Sequence, residues 1–112
     1  YDRLLARLPL ILPQRNPQNR SALHLYPVQV RADSDKTRRQ VFDFLRQNGI
    51  GANVHYIPVH TQPYYRQHFG FKLGDFPAAE AYYAGAISIP LYFGLTEAEQ
   101  DKVMEALERA FG

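Results

Sequence analysis

The chain has 112 residues, 46% of them hydrophobic and 21% charged, which is the size and make-up of one globular domain and excludes a disordered or fibrous chain. It contains no cysteine, so disulfides, thiolate metal sites and a cysteine nucleophile are excluded. Thirteen Lys and Arg against eleven Asp and Glu leave a net charge of +2, too little to point to nucleic acid or a membrane surface, and no apolar run approaches the ~20 residues that span a bilayer.

The opening Tyr1–Leu8 segment has helical character, with Leu4, Leu5 and Leu8 on one side. A chain that begins partway along an amphipathic helix is expected to be a fragment or a processed product. Pro9, Pro13 and Pro17 then punctuate an extended connector, because proline fixes its own φ and pushes the preceding residue towards extended backbone. Residues 1–21 are expected to be this helix end and connector, and residues 22–112 the domain proper.

Alternation predicts a first strand over Ala22–Val30, with Leu23 and Leu25 on one side and His24, Tyr26 and Val28 on the other. Pro27 inside it argues for an edge or a bulge. Asp33, Ser34 and Asp35 are N-cap candidates for a helix over about 35–48, and Asn48-Gly49 is its stop. A second strand is predicted over Ala52–Tyr56, ended by Pro58. Because a full helix joins them, these two strands are candidates for parallel pairing. A short helix is predicted near Pro63–Phe69, and another over Ala78–Gly85, with Pro77 in its first turn. Ala86–Pro90 reads as a third strand. Thr96-Glu97-Ala98-Glu99 is a capping box opening a helix to about Phe111, with Val103, Met104, Leu107, Ala110 and Phe111 as its buried stripe. The sum is an α/β (α+β) fold: a two-layer sandwich, a small sheet of about three strands with helices packed on it, and one sheet face open to a partner.

The densest set of functional groups is His55-Tyr56-Ile57-Pro58-Val59-His60-Thr61-Gln62-Pro63-Tyr64-Tyr65, at a strand end and the loop after it. Its imidazoles, phenols and amide suit a polyhydroxylated ligand, since hydroxyls need hydrogen bonds and rings stack on the apolar face of a sugar. The plainer reading makes Tyr56, Tyr64 and Tyr65 core or interface aromatics. His55, His60 and His68 with Asp75 offer zinc donors, but their spacing matches neither a helical pair nor a compact finger. Ser21, Ser34 and Ser88 lack a nucleophile elbow, no phosphate-cradling glycine loop is present, and Lys36, Lys72 and Lys102 all sit in polar surroundings.

Four stretches, taken in order, carry a resemblance. They are Leu23-His24-Leu25-Tyr26; Asn48 to Arg66, with its HYxPxHxQPYY run; Gly74-Asp75-Phe76-Pro77-Ala78-Ala79-Glu80; and Ser88 to Thr96. Together they resemble the C-terminal small domain of DegT/StrS-type nucleotide-sugar aminotransferases, most of all the branch serving pseudaminic acid biosynthesis. The resemblance implies pyridoxal 5'-phosphate (PLP) chemistry that moves an amino group from L-glutamate to a UDP-linked 4-keto-6-deoxy sugar. It implies a homodimeric, cytoplasmic parent whose cofactor lysine lies in a large N-terminal domain that this sequence does not match. The chain alone is then expected to hold no cofactor and to be inactive. The residues it carries over as substrate wall are His55, Tyr56, Ile57 and Pro58, with His60 either touching ligand or propping the turn. The competing expectation is a stand-alone regulatory domain that binds a small ligand.

Overall fold

Proline and capping residues set most of the helix boundaries. In the computed structural model, which describes all 112 residues, helix α5 runs over Glu97–Phe111. The Thr96 side chain accepts from the Glu99 N–H, and the Glu99 carboxylate accepts from the Thr96 N–H at 2.8 Å. Val103, Ala106, Leu107 and Ala110 are its buried residues, a spacing that keeps them on one face. Met104 and Phe111 flank that stripe half-buried. Helix α3 (Pro63–Phe69) and helix α4 (Pro77–Gly85) each start on a proline, where the missing N–H is not needed.

Helix α2 spans Arg38–Gln47, three residues later than the sequence suggests. Its cap is Thr37, in a reciprocal box with Gln40, and not the Asp33–Asp35 group. Those residues are occupied elsewhere: Asp33 pairs with Arg31 at 2.7 Å, and the Ser34 hydroxyl accepts from the Lys36 N–H. Val41 and Leu45 are the buried residues of α2, and the helix packs beside α5.

The sheet has the order β1 (Leu10–Ile11), β2 (Tyr26–Val30), β3 (Ala86–Ile89), and every pairing is antiparallel. Two expectations are thereby corrected. The first strand is only Tyr26–Val30; the residues before it lie outside the ladder, and Leu23 turns through a positive φ of 51°. The second strand does not form: Ala52–Tyr56 reaches the sheet through one bridge, Asn53 to Ser88, which is antiparallel. A strand the sequence did not suggest, β1, replaces it on the other side of β2, inside the proline-rich connector.

Pairing decides the two faces, because residues directly opposite one another point to the same side. Tyr26 faces Ile89 and Val28 faces Ile87, and this side carries the core. Leu45, Leu107, Val28, Ile87 and Leu5 have no more than a trace of surface left. Each such aliphatic side chain contributes ~1.5–3 kcal/mol by leaving water. Pro27 with Ser88 and Gln29 with Ala86 form the opposite side. The opening segment is docked on the sheet: α1 (Asp2–Leu5) sends Leu5 fully into the core, and the Tyr1 hydroxyl donates to the Pro90 carbonyl at 3.0 Å. The Tyr26 hydroxyl donates to the Asp2 carboxylate, closing the same corner. No helix is long and apolar enough to cross a membrane.

Candidate functional site

The segment from Asn53 to Thr61 leaves the sheet after a single ladder step. The Asn53 N–H donates to the Ser88 carbonyl at 3.0 Å and the Ser88 N–H to the Asn53 carbonyl at 2.8 Å. Pro58 then leads into a single 3-10 turn, Val59–Thr61. That turn is closed by the Thr61 N–H and hydroxyl, both donating to the Pro58 carbonyl. The stretch between the bridge and the turn is therefore a projecting loop.

Its side chains divide into exposed and anchored groups. Tyr56 is 71% exposed and Ile57 53%, so neither belongs to the core. His55 and Pro58 are half-buried. The His55 Nδ1 lies 2.9 Å from the Ser88 Oγ, which fixes the ring and leaves Nε2 without a partner inside the chain. The rings of His55 and Tyr56 meet edge to face with centroids 4.7 Å apart, joined by a cis peptide bond. Tyr64 is exposed and Tyr65 half-buried, so of the plainer reading only the core half is excluded; exposed rings are what an interface would use.

His60 is placed differently from the other four. It is 6% exposed, its Nε2 sits 2.7 Å from a Glu80 carboxylate oxygen, and its ring packs on Phe76 at 4.8 Å. The same carboxylate accepts from the Gly74 N–H at 2.8 and 3.0 Å. The Gly74 amide first and the His60 ring second hold the Glu80 carboxyl below the usual glutamate range. An ionised carboxylate only accepts, so the proton between the two residues belongs to His60 Nε2.

Beside the loop, a groove of about 550 Å³ runs between the first turns of α5 and residues 49–55. This is within the ~300–1,000 Å³ range of small-molecule sites. Asn53, His55, Ser88, Tyr92, Glu99 and Lys102 supply its polar lining. The Thr96 N–H and hydroxyl hold the Glu99 carboxyl below the usual glutamate range, and the hydrogen bond to Glu99, with burial and the Glu99 charge adding to it, raises the Tyr92 hydroxyl. The groove therefore presents balanced charge and several hydrogen-bonding groups. The sequence alone singled out neither Ser88 nor Glu80 for these roles. Ser88 lies between two core isoleucines on an otherwise apolar strand, which is a usable signal; the pairing of His60 with Glu80 leaves none in local spacing.

Two other chemistries lack their parts. No three His, Asp or Glu side chains converge as a metal ion would require. The residues present also do not fit PLP: the cofactor needs a lysine shielded from water beside the reacting carbon. Lys72 and Lys102 are exposed, and Lys36 lines a different groove from His55.

A model of the DegT/DnrJ/EryC1/StrS aminotransferase family matches residues 1–108. The spore coat polysaccharide biosynthesis protein SpsC of Bacillus subtilis is 40% identical over 112 residues, covering 96% of this chain and 28% of SpsC. Among solved structures, Spr1654 of Streptococcus pneumoniae, provisionally described as a sugar aminotransferase and solved in its PMP form, superposes with a TM-score of 0.86. It is 27% identical, and the match covers 97% of this chain and 27% of that one. PseC of Helicobacter pylori, an aminotransferase of pseudaminic acid biosynthesis, superposes with a TM-score of 0.81 at 25% identity, over 98% of this chain and 29% of its own. The chain thus spans 26–28% of the length of the curated relatives it matches.

Proposed function

The chain belongs to the DegT/DnrJ/EryC1/StrS aminotransferase family, and from that premise we propose that it is the small domain that holds the sugar nucleotide in a PLP-dependent sugar aminotransferase. The reaction is transfer of an amino group from L-glutamate to a 4-keto-6-deoxy sugar linked to UDP. Its setting is surface-polysaccharide biosynthesis of the kind named for SpsC, or the pseudaminic acid kind named for PseC. The cofactor and its lysine belong to a large N-terminal domain, and the working enzyme is a cytoplasmic homodimer.

One observation carries this reading. The projecting loop presents an exposed phenol, an apolar side chain and a free imidazole nitrogen together, on a backbone anchored at both ends. His55 Nε2 bonds a hydroxyl or phosphate oxygen of the ligand. The Tyr56 ring covers a sugar face, and Ile57 and Pro58 shape the edge of the pocket. Fixing the sugar in this way sets the distance and angle of its keto carbon to the amine it receives. His60 supports the loop from behind.

The decisive measurement is steady-state kinetics of the full-length aminotransferase with His55→Ala and Tyr56→Ala. Each lost hydrogen bond or stacking contact is worth about 1 kcal/mol, or roughly a five- to tenfold rise in KM for the sugar nucleotide. Cofactor absorbance stays as in the parent. Unchanged KM in both variants overturns the assignment.

A further inference from the structure

We propose that Glu80 is a positioning residue that clasps the substrate loop onto α4 through His60. The inference rests on the reading of residues 55–58 as the sugar wall, and extends it to a residue that touches no ligand.

The loop has two attachments. One is the Asn53–Ser88 bridge with the His55–Ser88 bond. The other lies on the far side of Pro58. There His60 is the only buried member of its 3-10 turn, and its single side-chain hydrogen bond goes to Glu80, twenty residues away. The turn itself contributes little else: Val59 is 55% exposed, and the helix that follows, α3, buries none of its residues. Without the Glu80 bond, the second attachment loses its only side-chain hydrogen bond from His60 and is left to packing, such as that of the His60 ring on Phe76.

Glu80 does more than accept from His60. Both of its carboxylate oxygens receive the Gly74 N–H. That draws the turn ahead of α4 against the same side chain. Asp75 in that turn closes on the Lys72 N–H at 2.9 Å. One carboxylate therefore gathers three pieces of chain: α4, the 72–76 turn and the 59–61 turn. Hydrogen bonds to a charged group are stronger than those between neutral pairs. A carboxylate that serves two donors from separate segments is a strong means of fixing their relative position. Because Pro58 is rigid and immediately precedes the clasped turn, whatever fixes His60 fixes the direction in which Tyr56 and Ile57 project.

The test compares Glu80→Ala, Glu80→Gln and His60→Ala. Amide hydrogen exchange of the 112-residue chain is read at Thr61 and Gln62, whose N–H groups close the turn. Core amides of β2 and β3 serve as the reference. Glu80→Ala and His60→Ala are expected to speed exchange at Thr61 and Gln62 about tenfold or more, with core amides unchanged. Glu80→Gln, which still accepts from both donors, is expected to recover most of the protection. The His60 ring nitrogen resonances should lose their Nε2–H signature in Glu80→Ala alone. In the full-length aminotransferase, Glu80→Ala should raise KM for the sugar nucleotide several-fold and change kcat by less than twofold. Unchanged exchange at Thr61 and Gln62 overturns the clasp, as does equal acceleration at core amides. Faster loop exchange with an unchanged KM sustains the clasp and overturns the sugar-wall reading instead.

Discussion

The Nδ1 atom of His55 and the Oγ of Ser88 stand 2.9 Å apart, although 33 residues separate them in the chain. Ser88 points to the sheet side opposite the core, because its strand neighbours Ile87 and Ile89 point inward. A serine between two isoleucines thus sets the orientation of the loop imidazole. Ser88→Ala removes this bond at almost constant volume. We expect the His55 ring to become mobile in NMR relaxation. KM for the sugar nucleotide should rise about three- to tenfold, the equivalent of one net hydrogen bond, while the melting temperature moves little.

Gly85 ends α4 where the helix meets β2. A Cβ at this position would come within 2.9 Å of the Val30 carbonyl oxygen and 3.4 Å of the Gln29 Cβ. Both obstacles belong to the sheet and neither can swing aside. Gly85→Ala is therefore expected to destabilise the fold by about 1–3 kcal/mol, measured as a lower denaturation midpoint in urea.

The contact of α2 with α5 is the main helix pairing over the core face, and Leu107 and Leu45 are both fully buried in that core. Leu107→Ala should cost about 2–5 kcal/mol through lost transfer energy and an unfilled cavity. Thr96→Ala, which only opens the cap of α5, should cost about 1 kcal/mol. Chemical denaturation of the two variants side by side checks the order.

Acid should release the 59–61 turn before it unfolds the core. Glu80 is held below the ordinary glutamate range by Gly74 and His60. A lowered folded-state value means that its stabilisation is complete above the ordinary range near ~4.3. It is lost only as pH falls through the lower folded value. The Gly74 amide resonance should therefore move as Glu80 is protonated below pH ~4. Glu80→Gln should abolish that movement.

Base acts at the opposite corner. Burial, with Tyr92 and Glu99 adding to it, pushes the Tyr1 hydroxyl up to about 12. Burial and the Asp2 carboxylate push Tyr26 higher as well. Both phenols favour the folded state while protonated, so their contribution is whole below the ordinary value near ~10 and is lost as pH rises beyond it. Unfolding monitored by far-ultraviolet circular dichroism should begin above pH ~10, and Tyr26→Phe should weaken the pH dependence.

Local signals, the core, a small sheet of three strands and the strand at Ala86–Ile89 were legible in the sequence; the pairing within the sheet was not. Thr96 with Glu99, Pro63 and Pro77 announce three helices because capping and proline chemistry act within one turn. Val103, Leu107 and Ala110 announce the buried side of α5 because helical spacing brings them together. The two-residue strand β1 sits among prolines and is too short to show alternation. Ala52–Tyr56 alternates as a strand should, yet pairs once, because pairing depends on a distant partner and not on its own pattern. The start of α2 was misplaced because Asp33, Ser34 and Thr37 all have capping side chains, and only the Thr37–Gln40 box settles which is used. For the candidate site, residue types revealed the loop, whereas its supports Ser88 and Glu80 depend on contacts across the fold.

The single bridge at Asn53 has an evolutionary corollary. Tyr56 and Ile57 lie outside the ladder and outside the hydrophobic interior, between two tethers that do not involve them. Such a stretch can be rewritten without disturbing the scaffold. A graft of the corresponding residues from a homologue should transplant ligand preference while leaving folding intact.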